Sequence, residues 1–153
     1  MSRATIVFVL FAANGIALAT SACAAEGPLM AGVATVDITP EPGQMLWGYS
    51  NRTHGATGTL DPLMAKAVVL RAGDQSVAIV TLDLGRTPEE SVLAKIREET
   101  KSRSGVSNLF ITASHTHHAP AMESTSDHPN PYAEKVGRQI ADIICKAAGE
   151  LVP

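Results

Sequence analysis

The feature of this sequence that most constrains its fold is a strand, a helix and a second strand that follow one another directly. Residues 76–84 are apolar almost throughout, and residues 106–113 alternate between apolar and polar positions, as strands do. Between them Thr87 is predicted to be an N-cap, with Pro88 at the first helical position and Glu90 completing a capping box. A crossover of this kind joins parallel strands, so at least part of the sheet is predicted to be parallel.

The remaining strands are predicted from their composition. Residues 30–38 are small or β-branched, which suits a strand. Residues 63–71 and 76–84 predict a hairpin, with Gly73-Asp74 at its turn. Because it is apolar almost throughout, the run 76–84 is also predicted to be covered on both faces.

Length and composition indicate one globular domain. The chain has 153 residues, of which 45% are hydrophobic, and a formal net charge of −3. It contains no run of Lys or Arg, which excludes nucleic acid as the expected partner. A second helical pattern begins near Tyr132, and the sequence ends at Pro153 as though another element should follow. We therefore predict an α/β fold, with a mixed, partly parallel sheet flanked by helices, in an incomplete domain.

The first 25 residues have the pattern of a signal peptide. Arg3 supplies a positive charge, residues 6–18 are apolar, and small residues follow around Cys23. This pattern predicts export, to the periplasm or as a secreted protein, with residues 26–153 as the mature part. In an alternative interpretation Cys23 carries a lipid, because the preceding Thr-Ser-Ala loosely resembles a lipoprotein cleavage box. That lipid would anchor the chain to a membrane surface.

Three of the five histidines lie within four positions, directly after the strand 106–113. In extended backbone, residues i and i+2 point to the same side. His115 and His117 are therefore predicted to face one point, with His118 turned away. Imidazole is the commonest protein ligand for zinc, but a catalytic zinc site takes three or more protein groups. The pair thus indicates either part of a metal site or an unligated, hydrogen-bonded pair.

Three further residues are candidates for substrate binding. Trp47 and Tyr49 lie in a long, glycine-rich loop at 44–61, where they either line a pocket for an apolar substrate or cap the core. Asp83 follows the strand 76–84 at the edge where open α/β sheets place functional groups. It is predicted either to orient a histidine or a loop, or to cap the following turn.

Four motifs in this order resemble a known family. They are Gly-Val-Ala-Thr-Val-Asp-Ile-Thr-Pro at 32–40, Gly-Tyr-Ser at 48–50, Thr-Leu-Asp-Leu-Gly at 81–85, and Ser-His-Thr-His with a proline three positions later at 114–120. Their order and spacing, over about residues 30–122, are similar to those of the neutral/alkaline (non-lysosomal) ceramidases. The resemblance is to the N-terminal catalytic domain of that family.

The resemblance implies a zinc-dependent amidase that hydrolyses the N-acyl bond of ceramide to sphingosine and a fatty acid. By that similarity His115 is a zinc ligand, and His117 is a catalytic group that contacts the substrate oxygen or the water at the zinc. The family's other zinc ligands and its catalytic serine lie beyond the matched region, so this portion alone is expected to be inactive. The implied partner is a lipid-like N-acyl substrate, met at a membrane surface.

The sequence departs from the family after the second histidine. Ceramidases usually continue Thr-His-Ser-Gly-Pro-Gly-Gly, whereas residues 116–122 here read Thr-His-His-Ala-Pro-Ala-Met. Replacing those glycines removes places where backbone approaches a substrate closely. Two alternatives therefore stay open, namely an exported hydrolase of another amide or ester, and an exported module without catalytic activity.

Overall fold

A computed structural model describes residues 27–124 and 127–153 of the chain. The predicted signal peptide and the alternative lipid site at Cys23 lie outside these residues. Within the described part, no helix has the length and apolar character needed to cross a membrane.

The described chain forms one four-stranded sheet whose strands lie in sequence order. The first three strands pair antiparallel, and the third and fourth pair parallel. The predicted mixed, partly parallel sheet is therefore confirmed, as is the hairpin with Gly73-Asp74 at its turn. The strands are β1 (Met30–Asp37), β2 (Met64–Ala72), β3 (Gln75–Leu82) and β4 (Asn108–Ala113).

The crossover from β3 to β4 contains helix α1 (Glu90–Ser104). Gly105, with φ of 74°, ends it in the left-handed conformation common at helix C-termini. The predicted capping box at Thr87 is wrong. Pro88 is buried and the chain stays extended through Glu89, which becomes the N-cap without a side-chain hydrogen bond. The helix therefore begins later than its sequence pattern indicates.

Helix α2 (Pro131–Gly149) covers β1 and β2, and α1 packs beside it. The Asn130 side chain accepts hydrogen bonds from the amides of Tyr132 and Ala133, which gives the helix a strong N-cap. Beneath the two helices, one set of alternating strand residues forms the core. Buried members of this set include Ala34, Ala67, Val69, Val80 and Leu82.

The other face of the sheet is exposed in the described chain, so the prediction that residues 76–84 are covered on both faces is wrong. Ile79 is 38% exposed, and Thr81 is exposed as well. The reason is that both helices pack on the same face of the sheet. On the open face of β3, Val77 is half-buried and Ile79 is exposed, so these apolar residues are not fully covered by the described part of the chain.

A buried hydrogen bond joins the N-terminal end of α2 to the end of β1. The hydroxyl of Tyr132 donates to the carbonyl of Ile38 over 2.7 Å. Burial raises the pKa of Tyr132, so the hydroxyl keeps its proton and remains a donor. This bond fixes the position at which the chain leaves β1 and enters the long loop toward β2.

We expect Tyr132→Phe to lower the free energy of unfolding by about 1–3 kcal/mol, because it leaves the buried carbonyl of Ile38 without a donor. Urea denaturation followed by circular dichroism measures this change. Tyr49→Phe is the matched control, since Tyr49 is the other of the two tyrosines and is 52% exposed. Equal stability of both variants would contradict the role given to the Tyr132 hydroxyl.

Candidate functional site

The parallel pairing of β3 and β4 brings two of the sequence motifs side by side. Leu82 is paired with Ala113, and the amide of Ser114 donates to the carbonyl of Leu82 over 2.9 Å. Residues 83–86 and 114–118 therefore leave the sheet at the same edge. This is the edge at which the histidines follow β4.

The rings of His115 and His117 meet as predicted, but not for the predicted reason. Their centroids are 5.3 Å apart. His115 has φ of 63°, a left-handed conformation that is uncommon for a residue other than glycine. The segment is therefore not regular extended backbone, and the convergence of the two rings depends on tertiary contacts.

A hydrogen bond to the carbonyl of Gly85 holds the His115 ring. The distance from His115 Nδ1 to the Gly85 oxygen is 3.0 Å. Because a carbonyl only accepts, this contact corresponds to the tautomer with the proton on Nδ1, and in the neutral form of that tautomer Nε2 carries the lone pair. Metal-binding histidines have this arrangement, with one nitrogen tied to a carbonyl and the other on the metal.

Trp47 and Tyr49 lie against the histidines. The Trp47 ring centroid is 5.2 Å from that of His115 and 5.0 Å from that of His117, and both contacts are edge-to-face. The Tyr49 ring lies 4.9 Å from that of His117. Of the two roles left open by the sequence, this placement favours lining the site over capping the core. Their assignment as substrate contacts stays a prediction.

Two glycines of the sequence motifs leave room for the ring cluster, which is formed by the side chains of Trp47, Tyr49, His115 and His117. A side chain at Gly48 would overlap the His117 ring, and one at Gly85 would overlap the Trp47 ring. Gly48 also has φ of 108°, which disfavours other residues. The glycines of two separate sequence motifs are thus both required for the packing around the histidines.

Arg52 holds the aromatic loop, which is the loop 44–61 with Trp47 and Tyr49, against the histidine segment 114–118. Both terminal nitrogens of its guanidinium lie 3.1 Å from the carbonyl oxygen of His117, and one donates to the carbonyl of Trp47 over 3.2 Å. The guanidinium carbon also lies 5.2 Å from the centre of the Tyr49 ring. Sequence reasoning missed this residue, because a single arginine in a loop carries no pattern that points to a carbonyl distant in sequence.

Arg86 is a second arginine that sequence reasoning missed. Its guanidinium carbon lies 5.1 Å from the centre of the Trp47 ring.

The described part of the chain contains no group of three or more His, Cys, Asp or Glu side chains placed to hold a metal ion. Of the predicted zinc ligands, His115 is the one that belongs to this chain, and its role as a ligand stays a prediction.

Asp83 does not contact the histidine pair. Its Oδ2 accepts the amide of Met64 over 3.0 Å, and its own amide donates to the Met64 carbonyl, so it fastens the start of β2 to the end of β3. Asp83 also lines a cavity of about 450 Å³ together with Ser114, Thr116 and His118. The ring contact of His118 within the described chain is with Tyr49, at 6.3 Å between centroids, and not with His115 or His117, which agrees with the prediction that it is turned away from the pair. A substrate contact for Asp83 through this cavity stays a prediction.

We expect Gly85→Ala to displace the Trp47 ring and to cost about 1–3 kcal/mol of stability, because the added methyl group overpacks the cluster. Trp47 is the only tryptophan of the chain, so its near-ultraviolet circular dichroism and its emission report the displacement directly. Gly58→Ala is the control, since a methyl group there meets no atom within 4 Å. Unchanged Trp47 signals in Gly85→Ala would contradict the packing described.

Comparison with known proteins identifies similar solved structures. No protein-family model and no curated protein sequence matches the chain. The crystal structure of neutral ceramidase from Pseudomonas aeruginosa matches with a TM-score of 0.68 at 22% identity, over 82% of this chain and 22% of that chain. A ceramidase structure described as complexed with C2 matches with a TM-score of 0.63 at 25% identity, over the same shares of the two chains, 82% and 22%.

This chain thus spans about a fifth of the length of the ceramidase structures that it matches. The match agrees with the resemblance that the four sequence motifs indicate, and it includes most of the chain. The described chain has the fold of one part of a neutral ceramidase.

Proposed function

We propose that the protein is an exported, zinc-dependent hydrolase that cleaves the N-acyl amide bond of ceramide or a related N-acyl lipid. This chain would supply one part of its catalytic domain. The observation that carries the proposal is the hydrogen bond from His115 Nδ1 to Gly85, made within a ceramidase-like fold. It leaves a metal-binding nitrogen free at the edge of the sheet where two ceramidase-like motifs meet.

The donor chemistry of His115 fits zinc. An imidazole whose Nδ1 is tied to a carbonyl has a fixed orientation and a more basic Nε2, as zinc ligands do. Residues 27–124 and 127–153 do not hold a full set of ligands, so the other ligands would come from outside them. Zinc, when bound, supplies a Lewis acid for an acyl carbonyl and for water.

His117 is suited to hold a proton beside the reacting group. Its ring is packed between Trp47 and Tyr49, and its carbonyl is held by Arg52. Such packing restricts the ring to one orientation, which general acid or base catalysis requires. We assign His117 the transfer of a proton at the substrate oxygen or at the attacking water.

The surface of the aromatic loop supports a lipid-like substrate. Met45 is 50% exposed, Tyr49 is 52% exposed and Leu60 is fully exposed. These side chains belong to the loop that carries Trp47 to the histidines. An acyl chain, or the membrane surface in which it lies, is a chemically matched partner for them. Assignment of Trp47, Tyr49 and Asp83 to substrate binding is part of this proposal.

The test is the zinc content and amidase activity of the full-length protein with substitutions at the histidines. We expect His115→Ala to lose zinc and activity together. His117→Ala should keep zinc and lose about 10²- to 10⁴-fold in kcat, as loss of a general acid or base does. His54→Ala is the control, because His54 is exposed in the loop. Retention of both zinc and activity in His115→Ala would overturn the proposal.

Export is tested by mass spectrometry of the mature N-terminus. We expect a chain that starts at Ala25 or Glu26, because small residues precede these positions. A diacylglyceryl group on Cys23 would identify the lipid-anchored alternative. The protein expressed without residues 2–25 is the control for nonspecific proteolysis. An N-terminus still at Met1 in the exported protein would contradict cleavage of the signal peptide.

A further inference from the structure

We propose that Arg86 binds a carboxylate at the edge of the histidine site. The choice of an N-acyl ligand rests on the proposed function. Binding of a carboxylate by Arg86 can be measured whether or not the protein hydrolyses that ligand. A carboxylate has two chemical sources in N-acyl hydrolysis. It is either a substrate head group, as in an N-acyl amino acid, or the fatty acid that cleavage releases.

The position of Arg86 follows from contacts already described. It directly follows Gly85, whose carbonyl holds the His115 ring. Its guanidinium lies over Trp47, and the same Trp47 ring contacts both His115 and His117. Arg86 is thus separated from the two imidazoles by one aromatic ring, and its backbone is attached to the carbonyl that orients one of them.

The donors of Arg86 are available to a ligand, unlike those of Arg52. Arg52 uses its terminal nitrogens on the carbonyls of Trp47 and His117. Within the described residues, the ion pairs and side-chain hydrogen bonds do not include Arg86. A guanidinium that lies over an aromatic ring keeps its N–H donors in its own plane, where they can meet a carboxylate in a bidentate pair. The described basic partners in ion pairs are Lys95, Arg97 and Arg103.

The charges around the ring cluster favour an anion. Arg52 and Arg86 are both cationic, and each lies over one of the two aromatic rings. Asp83, the acidic residue of the adjoining motif, directs Oδ2 to the amide of Met64, and within the described residues it forms no ion pair with either arginine. A carboxylate that pairs with Arg86 is also attracted by the more distant charge of Arg52, and an ammonium group would be repelled by both.

The departure from the ceramidase motif agrees with this inference. Ceramidases usually have glycines where this chain has Ala119 and Met122, and both of these side chains are buried here. They fill the core, where the usual glycines would have no side chain. Arg86 offers a contact for a charged head group at the same edge of the sheet.

The binding test uses the purified full-length protein and requires neither zinc nor turnover. Emission of Trp47, the only tryptophan of this sequence, is followed during titration with N-octanoylglycine, octanoate and the neutral N-octanoylethanolamine. Removal of Arg86 can itself change the emission of Trp47, because its guanidinium lies over that ring. Calorimetric titration with the same compounds therefore measures binding independently of the emission. We expect Arg86→Met to weaken carboxylate binding about three- to tenfold, with little effect on the neutral compound. Raising the salt concentration should weaken binding in the same direction.

Arg138→Met is the matched control, since Arg138 is an exposed arginine on α2. Weaker binding of N-octanoylglycine alone assigns the carboxylate to the head group, and weaker binding of octanoate alone assigns it to the released acid. Weaker binding of both means that Arg86 accepts either source. The proposal is overturned if Arg86→Met leaves both carboxylates unchanged, or weakens the neutral compound equally. None of these results depends on amidase activity, so they stand apart from the fate of the proposed function.

Discussion

The parallel pairing of β3 with β4 is the constraint on which the candidate site depends. It places the chain segments that follow the two strands at one edge of the sheet, where the carbonyl of Gly85 reaches Nδ1 of His115. Parallel strands require a crossover, and α1 provides it on the face that α2 also covers. The hydrogen bond between His115 and Gly85 thus depends on the packing of both helices against the sheet.

The aromatic loop is the second component of the site, and it is held by polar contacts more than by a core of its own. The amide of Trp47 donates to the carbonyl of Ala119, and Arg52 ties the loop to His117. Close packing at Gly48 and Gly85 then allows the rings to meet. A loop held in this way can present exposed apolar side chains to a ligand while its inner face stays ordered.

The candidate site combines a preorganised histidine pair with positive charge. Three of the four ceramidase-like motifs of the sequence converge on it, whereas the buried Ala119 and Met122 distinguish this chain from the usual ceramidase pattern. The likeness concerns the fold, whereas the reaction and the N-acyl compound belong to the proposal, on which the side chains around the pair bear. Hydrolysis of an acyl compound and recognition of a carboxylate are chemically compatible, because the reaction itself releases a carboxylate.

The sequence by itself determined the strands, the hairpin turn, the parallel crossover and the residues of the histidine pair, because hydrophobic periodicity and motif spacing are local properties. It failed where the outcome depends on distant partners. Tertiary packing decided where α1 begins and which face of β3 stays open. It also decided the left-handed backbone of His115 and the contact of Asp83 with Met64. Arg52 and Arg86 belong to the same class, since nothing in a local pattern specifies which carbonyl or ring a long side chain will reach.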